Sequence, residues 1–473
     1  MAAILPNFEQ ADFSPRAPID NSYFPLSPST VLSYSGETQD GEVESNDVLV
    51  TGATREIAGV TATVVRDTSY LDGVLAEDTF DWYAQDQAGN VWYLGELSFA
   101  YEFGEEGPET ATEGSWEAGV AIDPEGEPGV VAAPGLIMPS AEQLQALLAS
   151  GEAYFQEFAP GVAEDQAEVT SLGETVTVGE TQFADVLRTL ETTALEPDVA
   201  DFKYYAPGIG QVRTEETDQG EVVLTVDLQS TRSLQDAATD PLDQPERSDV
   251  RGGGDPLWVT LVASDGDDAI GAYQFSNGQE TLGEGKILFS DTEAVGSDEL
   301  STPLEVPHNA GLGLFLVPDA GTLAELGLDL SQFEEGGLTF TNPLDFGEAS
   351  LKDGLAPLVS AGALNFEAPV ALPEFAGEEE VLPLPIQVFH ALDSQPDGIN
   401  PLNPAAGVQA LDLEWEGSED VTILGFEDRR VTDPAFDGDF DDVVVAISED
   451  PLDANTIDRI ATDLGLPGDS LLG

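Results

Sequence analysis

The chain has 473 residues, 92 acidic against 14 basic, and a formal net charge of −78. A field of that sign repels nucleic acids and anionic lipid headgroups, so neither is an expected partner, and it attracts cations. The absence of cysteine excludes disulfides, iron–sulfur clusters, thiolate zinc sites and cysteine nucleophiles.

The length and a hydrophobic fraction of 41% predict two or three domains with cores of their own. Only three bases are lysines (Lys203, Lys286 and Lys352), a pattern that resembles a halophile's surface. High salt would screen the self-repulsion, and divalent cations at carboxylate clusters would offset it. No stretch approaches the ~20 apolar residues of a membrane span, so no membrane insertion is expected. The opening "MAAILPNFEQADFSPRAPID" has no basic n-region and is not a Sec signal peptide. The chain is then cytoplasmic, exported by a route that reads another segment, or already processed.

From Tyr23 to about Thr231, short alternating segments end in Gly, Asp and Asn turns and predict β-strands. "GVTATVVRDTSY" is one, closed by a turn at Leu71-Asp72-Gly73. "EDTFDWYAQDQAGNVWYLGEL" reads as a hairpin with Trp82 and Tyr83 on one arm, Trp92 and Tyr93 on the other, and Ala88-Gly89-Asn90 between them. "PSAEQLQALLASG" predicts a helix. Ser140 is the N-cap, Gln143 completes a capping box, Leu144, Leu147 and Leu148 share a face, and Gly151 is the stop. Residues 235–256, with a Gly triplet and almost no apolar side chains, read as a linker.

Beyond it, "LWVTLVASDG", "AIGAYQF", "KILFSD", "LGLFLVP", "LPIQVFHAL", "VQALDLEWE" and "DVVVAIS" predict a second set of strands. Short helices are expected near Thr322–Leu328 and Leu351–Val359, and a helical tail over 450–473 with Ile457, Ile460 and Leu464 on one side. The expected fold is mainly β. An antiparallel sheet or half-barrel occupies residues 1–234, and a sandwich-like acidic domain occupies 257–449. Without βαβ alternation, Rossmann and TIM-type folds are not expected.

Catalytic motifs are missing. There is no G-x-S-x-G elbow, H-E-x-x-H or G-x-G-x-x-G. His308 and His390 are the only histidines, and His390, after Phe389 in an apolar run, reads as a core residue. Among 92 acids some pair always falls at a glycosidase distance, so paired carboxylates carry little information. The aromatic hairpin of Trp82, Tyr83, Trp92 and Tyr93 could stack a sugar ring, but cross-strand aromatic pairs more often stabilise a sheet.

The most specific constellation is "DGDFDDVVVAI". Asp437, Asp439 and Asp441 would share one side of a strand, with Asp442 on the other. Val443, Val445 and Ile447 continue one face and Val444 and Ala446 the other, as in a central strand. With Glu427 and Asp428 from "GFED", these acids form a hard-oxygen set suited to Ca2+ rather than zinc. It is not an EF-hand, because Asp442 stands where Gly belongs and Ser448 where Glu belongs. A second acidic loop, with Asp265, Asp267 and Asp268, is a further candidate.

The text "GLFLVP … LGFEDR … DGDFDDVVVAI" resembles an uncharacterised C-terminal β-domain family of secreted bacterial proteins, often cyanobacterial. Its signature is F-E-D followed by D-x-D-F-N-D. Glu427, Asp428, Asp437, Asp439 and Asp442 match its acids, and Asp441 replaces the usual Asn. "NSYFPLSPSTVLSYSGE", "EDTFDWYAQDQAGNVWYLGE", "EGSWEAGV" and "KYYAPGIGQV" resemble an uncharacterised exported bacterial β-rich family.

These resemblances and the acidic loops imply a non-enzymatic, calcium-binding structural or adhesive protein at the cell surface or outside the cell. It would be a self-associating subunit of a surface layer, sheath or filament, with glycans as a further partner class. The alternative is a carbohydrate-active hydrolase or carbohydrate-binding module from a halophilic bacterium.

Overall fold

The structure is a computed structural model. It describes residues 3–15, 17–39, 41–104, 107–112, 114–122, 130–234, 253, 255–275, 281–296, 299–308, 310–350, 355–362, 382–391, 400, 402–406, 408–418, 420–433 and 436–466. Two compact units emerge. One comprises residues 1–100 and 111–233, the other residues 101–110, 234–366 and 381–473. The expected linker lies almost wholly outside the described residues.

The first unit is a long antiparallel meander. Its strands are β1 (Thr30–Glu37), β2 (Val43–Ile57), β3 (Val60–Leu71), β4 (Val74–Gln85), β5 (Val91–Gly104) and β6 (Ala133–Met138). After helix α1 (Ala141–Ser150) come β7 (Tyr154–Phe155), β8 (Glu157–Phe158), β9 (Asp165–Val178), β10 (Thr181–Thr193), β11 (Val199–Ala206), β12 (Gly210–Asp218) and β13 (Glu221–Ser233). β-branched runs such as "VTATVV" favour extended backbone. Asp72 and Gly73, at φ 48° and 87°, supply the positive dihedrals that a two-residue hairpin needs between β3 and β4.

The spatial order is β7–β9–β10–β11–β12–β13–β1–β2–β3–β4–β5–β6–β8. Its two ends belong to one bent segment. Tyr154 and Phe155 pair with β9, and Glu157 and Phe158 pair with β6. The result is a nearly closed half-barrel. At the bend, a Cβ on Gly135 would lie 2.1 Å from the Gln156 carbonyl oxygen, so only glycine fits there. Helix α1 ends at Gly151 in the left-handed conformation, as expected, and buries Leu144 and Leu147. The capping box does not form. Ser140 makes no side-chain cap, and its N–H instead donates to Asn90 Oδ1 on the neighbouring hairpin.

The second unit is a sandwich. One sheet has the order β17 (Ser301–Leu304), β14 (Leu257–Ser264), β22 (Val443–Ser448), β21 (Val421–Phe426), β20 (Ala410–Leu413). The other runs β16 (Lys286–Phe289), β15 (Ala269–Phe275), β18 (Gly311–Val317), β19 (Phe389–His390). Val259, Leu261, Ile270, Leu314, Phe426 and Val445 share one core between the sheets. β22 is central and buried along its whole length, as its unbroken apolar run predicts.

On β15 and β18, Gly271 lies opposite Phe315 and Gly313 opposite Tyr273. Each ring fills the space its glycine leaves, so that a Cβ on Gly313 would lie 2.4 Å from the Tyr273 ring. The expected helical tail supplies α3 (Ala454–Leu464), whose Ile457 and Ile460 join the sandwich core. A short helix α2 (Ala320–Glu325) sits near the expected Thr322–Leu328. The helix expected over Leu351–Val359 is not formed in its described part, because Leu358–Ser360 pairs as a strand with Thr339–Thr341. No described helix is long and apolar enough to cross a membrane.

Two outcomes follow from the first unit. Gly135→Ala forces a methyl into the Gln156 carbonyl and should destabilise this unit by about 1–3 kcal/mol. Urea unfolding read by tryptophan fluorescence measures this, and an unchanged midpoint would contradict it. Burial comes first in raising Asp67 to about 8, Asp81 to about 7 and Asp201 to about 6. The folded unit therefore keeps protons that the unfolded chain loses near pH 4. Stability should fall as pH rises from about 4 to about 8 at fixed salt, and Asp67→Asn should flatten that slope.

Candidate functional site

Strand register gathers three acidic segments at one end of the sandwich. Ser264, the last residue of β14, and Phe426, the last of β21, both pair with Val443, the first of β22. Residues 265–268, 427–428 and 437–442 therefore meet.

The 437–442 segment is not the strand that its alternation suggested. It is a coiled loop, with Gly438 at φ 75° and Phe440 at φ 59°, and β22 begins only at Val443. The coil changes which acids converge. Oxygens of Glu427, Asp437 and Asp439 lie within 4.8 Å of one another, and so do those of Asp439, Asp441 and Asp442. Asp442, expected on the opposite side, joins the cluster, and Asp439 belongs to both groups.

Backbone donors fix the arrangement. Phe440 N–H donates to Glu427 Oε1 at 2.6 Å, Asp428 N–H to Asp442 Oδ2 at 2.9 Å, and Asp265 N–H to the Asp442 carbonyl at 3.0 Å. A Cβ on Gly425 would lie 2.0 Å from the Phe440 carbonyl, which lets the loop lie close over β21. Glu427 is 1% exposed, and its Oε2 has no hydrogen-bond partner. A buried, unserved carboxylate oxygen facing two more carboxylates is costly unless a cation completes it.

The electrostatics agree. Burial, then repulsion from Asp442 and Asp437, pushes Glu427 up to about 7 against the pull of the Phe440 N–H. Burial and Asp442 raise Asp428 to about 7. Burial and the neighbouring Asp439 raise Asp441 to about 6. Asp265 and Asp442 are raised by burial and by the charges of Asp437 and Asp439.

The second acidic loop divides. Asp265 faces the main cluster. Asp267 and Asp268 turn toward α2, where Gly321 N–H donates to the Asp267 carbonyl and Asp319 N–H to Asp268 Oδ1 at 3.0 Å. Asp268 is 2% exposed, its Oδ2 has no partner, and burial with the Asp428 charge raises it to about 8. Two residues here escaped sequence reasoning. Asp319 adds a carboxylate, and the Arg429 guanidinium lies 3.4 Å from Asp428 and 3.9 Å from Asp319. The Pro318-Asp319 turn after β18 is the only sequence signal for the first.

The remaining candidates are structural. His390 is fully buried among Tyr273, Phe315 and Phe340, with Nδ1 3.2 Å from the Tyr273 hydroxyl, and burial lowers it to about 3. Trp82 and Trp92 are buried and offer no platform for a sugar. Arg55 covers the Trp82 ring, and Trp92 packs on Phe8 while its Nε1 donates to Asp86. The donor set at 427–442 is oxygen throughout, which suits a hard cation with flexible coordination.

No protein-family model matches the chain. No curated protein matches it either. Two solved structures are similar over 45% of this chain and 99% of their own. One is described as a "putative exported protein with YmcC-like fold" from Bacteroides fragilis, at 15% identity and a TM-score of 0.23. The other is described as a "putative lipoprotein" from Parabacteroides distasonis, at 11% identity and a TM-score of 0.22. Likenesses this distant establish neither a family nor a function for this chain.

Proposed function

We propose that this chain is a non-enzymatic calcium-binding structural or adhesive protein that works outside the cell or at its surface. The observation that carries the reading is the buried Glu427 Oε2, without a partner, set against Asp437 and Asp439. Glu427, Asp437, Asp439, Asp441 and Asp442 would supply the first ligands, and the Asp265 and Asp428 carboxylates lie beside them. Carboxylate sites of this kind serve extracellular modules at the ~10⁻⁴–10⁻³ M calcium found there. The ion would fasten the loop to the mouth of β22 and offset the repulsion of the gathered acids. Exposed carboxylates over the rest of so acidic a surface would let calcium bridge copies into a layer, sheath or filament.

Calcium at a hundred times its Kd should stabilise the protein by about 2.7 kcal/mol, and chelator should remove that gain at constant ionic strength. An identical melting temperature with and without chelator would sink the calcium reading. Glu427→Gln keeps an acceptor for Phe440 but removes the buried charge. It should raise the melting temperature of the calcium-free protein and weaken calcium binding about tenfold or more, a pair of opposite effects that calorimetry resolves. Electron microscopy tests the assembly: ordered material that disperses on chelation supports it, and monomers in millimolar calcium oppose it.

A further inference from the structure

Glu427 and Asp428 are neighbours in the chain, yet their carboxylates have different company. Glu427 meets Asp437 and Asp439, whereas Asp428 Oδ2 and Asp268 Oδ2 both lie beside Gly266. Asp428 follows β21 in one sheet of the sandwich, and Asp268 precedes β15 in the other. Asp319, just beyond β18, donates its N–H to Asp268 Oδ1 at 3.0 Å. The two sheets thus bring carboxylates to one place.

One oxygen there is unserved. Asp268 is 2% exposed, and its Oδ2 has no hydrogen-bond partner. The donors around it are turned elsewhere. The Ser264 and Thr292 hydroxyls donate to the Gly266 carbonyl at 3.0 and 2.9 Å, and Thr292 N–H donates to the Asp268 carbonyl at 2.7 Å. The Arg429 guanidinium lies 3.4 Å from Asp428 Oδ1 and 3.9 Å from Asp319 Oδ2, and both contacts leave Asp268 Oδ2 unmet. A buried carboxylate oxygen without a donor costs free energy until a proton or a cation reaches it.

The backbone leaves space at that oxygen. A Cβ on Gly266 would lie 3.0 Å from Asp268 Oδ2 and 3.8 Å from Asp428 Oδ2. Both oxygens therefore look onto the side of Gly266 that carries no side chain. A proton on Asp268 would neutralise that group alone, whereas a cation in this space serves both carboxylates at once.

We propose that Asp268 and Asp428 hold a second divalent cation in the space beside Gly266. Its ligands are separate from Glu427 and the 437–442 loop, so it stands or falls apart from that site. Among the described residues, no third carboxylate brings an oxygen within 4.8 Å of both, so water completes the shell and this is the weaker of the two positions. The ion at Glu427 fastens a loop to strands of one sheet. The ion at Asp268 ties β15 to β21, and so one sheet to the other.

Isothermal titration of the full-length protein with calcium tests this, at high fixed ionic strength to screen diffuse binding to the acidic surface. Two binding steps are expected. Asp268→Asn keeps an acceptor for the Asp319 N–H and should weaken the second step alone, about tenfold or more. Gly266→Ala keeps every carboxylate but fills the space with a methyl, and should weaken the same step. Glu427→Gln should weaken only the first. Asp268→Asn removes a buried charge and should fold at least as stably without calcium, which a melting curve in chelator checks. A single step that responds to Glu427→Gln and not to Asp268→Asn, or two steps that both survive Asp268→Asn, would overturn the second position and leave the first standing. A step lost in Asp268→Asn with none lost in Glu427→Gln would support the second position and count against the first.

Discussion

A carboxylate taken out of water needs a proton, a hydrogen-bond donor or a cation. With 92 acids and 14 bases, this chain has too few cationic side chains to pair each of its acids. Both units nevertheless bury them. Glu427 and Asp268 are closed into the mouth of the sandwich, and Asp81 and Glu157 into the half-barrel. Each fold must hold its acids in place by packing, because their mutual repulsion drives them apart. The gapless apolar strand β22 does this in the second unit, and the long paired strands β3, β4 and β5 do it in the first.

The two units meet the same constraint with different geometry. In the sandwich, a coiled loop bends its carboxylates toward a point, with Asp439 common to both converging groups. In the half-barrel, straight strands set theirs along a surface, two residues apart on β4 at Glu77, Thr79, Asp81 and Tyr83. A loop can turn successive side chains inward, whereas a strand presents only every second one. Backbone conformation therefore decides whether gathered acids converge on a point or spread along a wall.

Local periodicity made the strands legible, along with the Asp72-Gly73 turn, the α1 stop at Gly151 and the central character of β22. It failed where long-range pairing decides. Asp265 joins Asp439 only because Ser264 and Phe426 both register against Val443, and no spacing in the sequence encodes that. The alternation assumed for Asp437–Asp442 broke because Phe440, an unusual residue for a positive φ, coils the loop. The acidic interior of the half-barrel was hidden for another reason. Thr79 and Asp81 alternate with Phe80 and Trp82, and such a polar face ordinarily reads as solvent-facing. Closure of the sheet turns that face inward.

That closure rests on five residues. The two terminal strands of the sheet, β6 and β9, are each satisfied by the same segment, bent at Gln156. The half-barrel has a seam where an open sheet would have two edges. If the segment lifts, both rows of backbone donors and acceptors become free together, each a template for a strand from elsewhere. The tight crossing at Gly135 thus keeps two adhesive edges covered as well as completing the barrel wall.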